Sequence, residues 1–120
     1  MLIVFISITG KIASFLKKTG HEPCLQINTG KEVVTQPFFL ICGSIGFGEP
    51  APQLLAFLEN NHHYLKGIIG SGNKNWGSLY GKAPRDVAEK YGVPLLFLFE
   101  SAGNSHDLAK FEEVIQLKNI

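Results

Sequence analysis

The chain has 120 residues, 45 % of them apolar, which suits one domain around a single core, and residues 1–120 are expected to form it. A net charge of +1 with interspersed signs offers no basic stripe for nucleic acid and no acidic tail. The longest apolar runs, Met1–Ile6 and Leu95–Phe99, are far shorter than the ~20 residues of a membrane helix, so neither nucleic acid nor membrane is an expected partner.

Leu2–Ile6 is a continuous apolar run, the mark of a strand buried on both faces of a parallel sheet. Ile12, Phe15 and Leu16 then fall at helical spacing before Gly20, a C-terminal cap signal. Leu25 and Ile27 suggest a short second strand, and Phe38–Cys42 a third. From Pro52, Leu54, Phe57 and Leu58 repeat the helical spacing. Leu65–Ile69 predicts a fourth strand, followed by a polar loop over Gly70–Ser78. A third helix places Val87, Ala88 and Tyr91 inward and must begin near Ala83 or kink at Pro84. Leu95–Phe99 predicts a fifth strand, and Ser105 is the expected cap of a last helix with Leu108, Phe111 and Ile115 inward and Asp107 near its positive end.

Five buried strands alternating with four helices predict an α/β fold: a flavodoxin-like three-layer α/β/α sandwich whose five-stranded parallel sheet runs in the order 2-1-3-4-5. Cys24 and Cys42 form no C-x-x-C pair, read as core residues, and lie on strands separated by the first, ~10 Å apart, so both thiols should be free. No basic segment precedes the first apolar run and no small-residue cleavage site follows it, so a cytoplasmic location is expected. His21, His62, His63 and His106 form no metal or triad pattern. A response regulator is excluded because no aspartate ends the first or third strand.

In such a sheet, ligands bind beyond the carboxyl ends of the strands, where the strand order reverses. Three loops should converge there. Ser7-Ile8-Thr9-Gly10-Lys11 combines two hydroxyls, a glycine and a lysine at a helix start and suits a phosphate, although on the loop alone Thr9 as a plain N-cap and Gly10 as a turn residue is the commoner arrangement. Ile12, where a P-loop needs Ser or Thr, argues against nucleotide hydrolysis. In the second loop, Gly43–Glu49, the stretch Gly46-Phe47-Gly48-Glu49-Pro50-Ala51 matches G-x-G-x-x-A but follows the wrong strand for a dinucleotide. Its glycines instead let backbone approach a flat ring, or simply make a mobile turn. The third loop, Gly70–Gly77, carries the only tryptophan, Trp76, which with Tyr80 and Phe47 offers aromatic walls for a flavin or covers a helix end.

Gly70-Ser71-Gly72-Asn73-Lys74-Asn75-Trp76-Gly77, Tyr80-Gly81-Lys82, Tyr91-Gly92-Val93-Pro94, Phe99-Glu100-Ser101-Ala102-Gly103 and Gly46-Phe47-Gly48-Glu49 together resemble the NrdI family. These are flavodoxin-like FMN proteins that serve class Ib ribonucleotide reductases. The resemblance implies that Ser7, Thr9 and Gly10, with Lys11 and Ile12, form the FMN phosphate loop. It implies that Ser44, Ile45, Gly46, Phe47 and Gly48 run along the flavin ring, and that Ser71, Gly72, Asn73, Trp76, Gly77 and Tyr80 close its other side. The phosphate loop departs from the family pattern at Lys11, where asparagine is usual, and at Ile12, where a small residue is usual.

The implied function is accessory rather than metabolic. Reduced flavin reacts with dioxygen and passes superoxide or peroxide to the dimanganese site of the reductase small subunit, NrdF, which gains its tyrosyl radical. A flavin or thiol reductase supplies the electrons. The ring loops hold only Glu49 against Lys11 and Lys74, so an anionic reduced flavin should form more easily than in an acidic flavodoxin. Two rivals remain: a general flavodoxin-type electron carrier, whose acidic docking surface is missing, and a paralogue that has lost FMN and serves as a binding module, for which Lys11 and Ile12 speak.

Overall fold

The apolar runs and amphipathic stretches become strands and helices in a computed structural model that describes residues 1–118, with side chains through residue 116. The last two residues of the expected domain, 119–120, lie outside the described residues. The elements are β1 Leu2–Phe5, α1 Lys11–Thr19, β2 Cys24–Gln26, β3 Phe38–Cys42, α2 Pro52–Asn61, β4 Leu65–Gly72, α3 Lys82–Tyr91, β5 Leu95–Glu100 and α4 Ser105–Lys118. The strands form one parallel sheet in the order β2-β1-β3-β4-β5, as the alternation predicts.

Alternating strand residues feed two cores. Ile3, Phe39, Ile41 and Ile69 pack against Ile12, Phe15 and Leu16 of α1 and Phe111, Val114 and Ile115 of α4. Val4, Leu40, Cys42 and Ile68 face Leu54, Phe57 and Leu58 of α2 and Val87 and Ala88 of α3. Phe15 is stacked on Phe99 of β5 at 4.1 Å between centroids and meets the edge of Phe111 at 5.7 Å. The helix that follows the first loop is thereby locked to the strand that leads into the last.

Three expectations are corrected, and the alternative left open at Pro84 is decided. β2 is not buried: it is an edge strand of three residues with Cys24 and Gln26 exposed, so Cys24 is a surface thiol. Burial, then the nearby Glu22 charge, raises the Cys24 thiol, while full burial pushes Cys42 up to about 12. Both cysteines are free, as the strand order requires. β4 extends to Gly72, so the predicted loop begins three residues later. α3 starts at Lys82 without a kink, because Pro84 occupies the first turn, where a missing N–H costs no intrahelical bond. Asn104, not Ser105, caps α4: its Oδ1 accepts from Asp107 N at 3.0 Å, and Asp107 Oδ2 accepts from Asn104 N at 2.9 Å.

Helices bridge the connections on both sides of residues 27–37, yet β2 returns to β3 through an irregular segment. Two side chains organise it. Glu32 accepts hydrogen bonds from the backbone of Asn28, Thr29 and Gly30 at 2.9 to 3.0 Å. Buried Asn61, at the end of α2, accepts from Val34 N and donates to the carbonyls of Glu32 and Phe57. Val34 is thus held over the sheet where a helix would otherwise stand.

Candidate functional site

A cleft of about 980 Å³ opens at the carboxyl edge of the sheet, at the upper end of the range for small-molecule sites. Three loops meet there as predicted. Ser7, Thr9, Lys11 and Ile12 line it from the first; Ser44, Ile45, Gly46 and Gly48 from the second; Ser71, Gly72, Asn73, Trp76 and Tyr80 from the third. Gly10, Phe47 and Gly77 are not part of the lining. Gly10 and Gly77 serve the backbone instead, at φ +85° and +59°, conformations that disfavour any other residue. Phe47 is 77 % exposed, with its ring edge-on to Trp76 at 6.4 Å.

The first loop brings the start of α1 to the cleft. Gly10 precedes α1 in the left-handed region with no side-chain cap, and Thr9 is exposed, so the plain N-cap expected of Thr9 is not formed. Ser7 Oγ instead accepts from Ala13 N at 3.2 Å, which satisfies one orphan donor of the first turn. A Cβ placed on Gly10 would meet no atom within 4 Å, so the space before the helix is open. Lys11 Nζ reaches the Ser101 hydroxyl at 2.9 Å and has no carboxylate partner among the described residues.

The second loop closes on itself. Ile45 N donates to Glu49 O at 2.7 Å, and Gly48 N and Glu49 N return to Ile45 O. Gly46 stands at φ +52° at the tip, again with no atom within 4 Å of an added Cβ. Ser44 lines the cleft, but its Oγ accepts from Ala83 N at 3.1 Å and so serves the start of α3. Buried Ser71 likewise turns inward, donating to Ser101 O at 3.0 Å.

In the third loop Trp76 is 51 % exposed, so it is a surface side chain and not a core residue. The ring of Tyr80 lies against Gly72, where a Cβ would come within 3.1 Å of it. Burial, then the charges of Glu100 and Asp107, raises the Tyr80 hydroxyl, which stays neutral at physiological pH.

Sequence reasoning missed a fourth wall, the loop from β5 to α4, which brings Glu100, Ser101, His106 and Asp107 to the cleft. Ser101 sits at φ +60°, the sole residue other than glycine in that region among the described residues, fixed by Ser101 N to Gly72 O at 3.0 Å and by the bonds from Lys11 and Ser71. A serine there carries none of the glycine signal by which the other loops were found. The charge balance changes accordingly. Lys11 and Lys74 face Glu100 and Asp107, and Glu49 is not part of the lining, so the cleft is formally balanced rather than basic.

A parallel α/β/α sandwich in this strand order, with a cleft at the reversal point, defines a flavodoxin-type protein. Solved flavodoxins share the fold. Oxidised flavodoxin 1 from Bacillus cereus superposes with a TM-score of 0.61 at 17 % identity, over 91 % of this chain and 89 % of its own. A short-chain flavodoxin associated with a bacterial microcompartment gives 0.61 at 13 %, over 93 % and 90 %. The family model described as NrdI Flavodoxin like matches residues 3–113, and the chain belongs to that family. No described helix is long and apolar enough to cross a membrane.

Proposed function

We propose that residues 1–120 form one FMN-binding domain that, once reduced, activates the dimanganese-tyrosyl radical cofactor of a class Ib ribonucleotide reductase small subunit. The observation that carries this reading is the cleft itself: an open helix start with a lysine that meets no carboxylate among the described residues, and glycine-rich and aromatic loops, in a chain of the NrdI family.

The residues fit an FMN. The free N–H groups at the start of α1, the Thr9 hydroxyl and Lys11 would hold the phosphate, the helix dipole adding to the lysine charge. The Ile45–Gly46 backbone and the Trp76 and Tyr80 side chains would flank the ring and shield it from water. Bound FMN supplies a two-electron store that, when reduced, gives electrons to dioxygen. The chain's own residues set how easily that store fills: Lys11 and Lys74 offset Glu100 and Asp107, so the cleft does not repel negative charge as a cluster of carboxylates alone would. Gly46, unhindered at the loop tip, is free to turn its peptide toward the ring. A flavin or thiol reductase would supply the electrons.

The test is a visible-spectrum and fluorescence titration of purified protein with FMN and with riboflavin. One-to-one uptake, tighter for FMN, is expected. Colourless protein that takes up neither flavin would establish the rival, a binding module without cofactor.

A further inference from the structure

The segment that carries Trp76 is held at both ends by side chains of opposite charge. It runs through Lys74–Leu79 as tight turns broken at Gly77, whose φ of 59° and ψ of −120° only glycine adopts readily. At its start Glu100 Oε2 accepts from Lys74 N at 2.9 Å, and Asn73 Oδ1 accepts from Asn75 N at 2.9 Å. At its end Arg85 Nη2 donates to the carbonyls of Ser78 and Tyr80, both at 2.9 Å, while Nε donates to Gly81 O at 3.2 Å. An acceptor thus meets the donor end of the segment and a donor fork its acceptor end. Three carbonyls converge on one planar guanidinium, a geometry that a lysine ammonium cannot reproduce.

Arg85 stands on the first turn of α3, which also mounts the opposite loop. Ser44 Oγ accepts from Ala83 N, and the Lys82 stem lies so close over Gly48 that a Cβ there would fall 2.8 Å from Lys82 Cδ. The aromatic residues of the two loops, Phe47 and Trp76, meet in a T-shaped contact with ring centroids 6.4 Å apart. Arg85 itself does not line the cleft.

We propose that Arg85 is a positioning residue for a flat ring in the cleft: it fixes the end of the Trp76 segment through the carbonyl of Ser78 and, just beyond it, those of Tyr80 and Gly81, and touches no ligand. The ring's being a flavin rests on the proposed function; the clamp does not.

The test has two arms. In flavin-free protein, amide hydrogen exchange at Trp76 and Tyr80, whose N–H groups bond Asn73 O and Gly77 O, should quicken about tenfold in Arg85→Ala, with β3 amides unchanged. Arg85→Lys should restore only part of the protection. Unchanged exchange at Trp76 and Tyr80, equal acceleration everywhere, or full rescue by lysine would overturn the proposal. In the second arm, Arg85→Ala should weaken FMN and riboflavin by the same factor, about tenfold, because the phosphate loop is untouched. Loss confined to FMN would overturn the positioning role. If wild-type protein binds neither flavin, the flavin reading fails and the exchange arm alone decides the role of Arg85.

Discussion

At the scale of single residues, hydroxyls and rings in the cleft divide between holding the loops and facing the ligand space. Ser7 braces Ala13 whereas Thr9 is free, so a Ser7→Ala, Thr9→Ala double variant should lose both a helix cap, about 1 kcal/mol of stability, and phosphate affinity. FMN affinity should fall while riboflavin affinity holds, read by flavin fluorescence titration; equal losses for both would place the phosphate elsewhere. Trp76 is half exposed, so Trp76→Ala should change thermal stability by no more than about 0.5 kcal/mol yet restore flavin emission quenched on binding. A large stability loss with unaltered quenching would mean that the indole serves the loop alone. Phe47 and Trp76 were legible as candidates because large aromatic residues in polar, glycine-rich stretches have no core to fill. Glu100 and Arg85 were not, since a charged side chain bonded to distant backbone leaves no periodic trace in the sequence.

At the scale of elements, the sequence announced each strand and helix that packs on both sides, because buried parallel strands must be runs and helices must show 3.6-residue spacing. The return from β2 to β3 was invisible because its order comes from Glu32 and Asn61, not from an apolar face. Partial desolvation raises the Glu32 carboxyl, but the backbone hydrogen bonds from Thr29, Asn28, Glu32 and Gly30 outweigh it and bring the group down to about 2. Because its folded value lies below its ordinary value of 4.5, the stabilisation is present above pH 4.5 and is lost as pH falls toward 2. Wild-type stability should therefore decline through that window more than that of Glu32→Gln, which already lacks the carboxylate at neutral pH. Parallel pH profiles in chemical denaturation would contradict the assignment. Asn61→Ala, which orphans buried Val34 N, should cost about 2 kcal/mol or more at all pH values.

At the scale of the whole molecule, the strand order fixes where a cleft must lie, and the topology rule located it from sequence. The charge of that cleft was misread because the fourth wall, from β5 to α4, supplies Glu100 and Asp107. The proposed activation calls for a ring-side backbone that can turn at Gly46. Gly46→Val places a β-branched residue at φ +52°, so it should hinder the loop tip, shift the flavin potentials and lower radical yield while FMN binding persists. Abolished FMN binding would show that Gly46 is needed for the cleft itself. The most direct test of the activator role is electron paramagnetic resonance of the tyrosyl radical in a cognate, manganese-loaded small subunit exposed to air. The radical should form with FMN-loaded, reduced protein and not with oxidised protein; no signal with reduced, FMN-loaded protein would contradict the account.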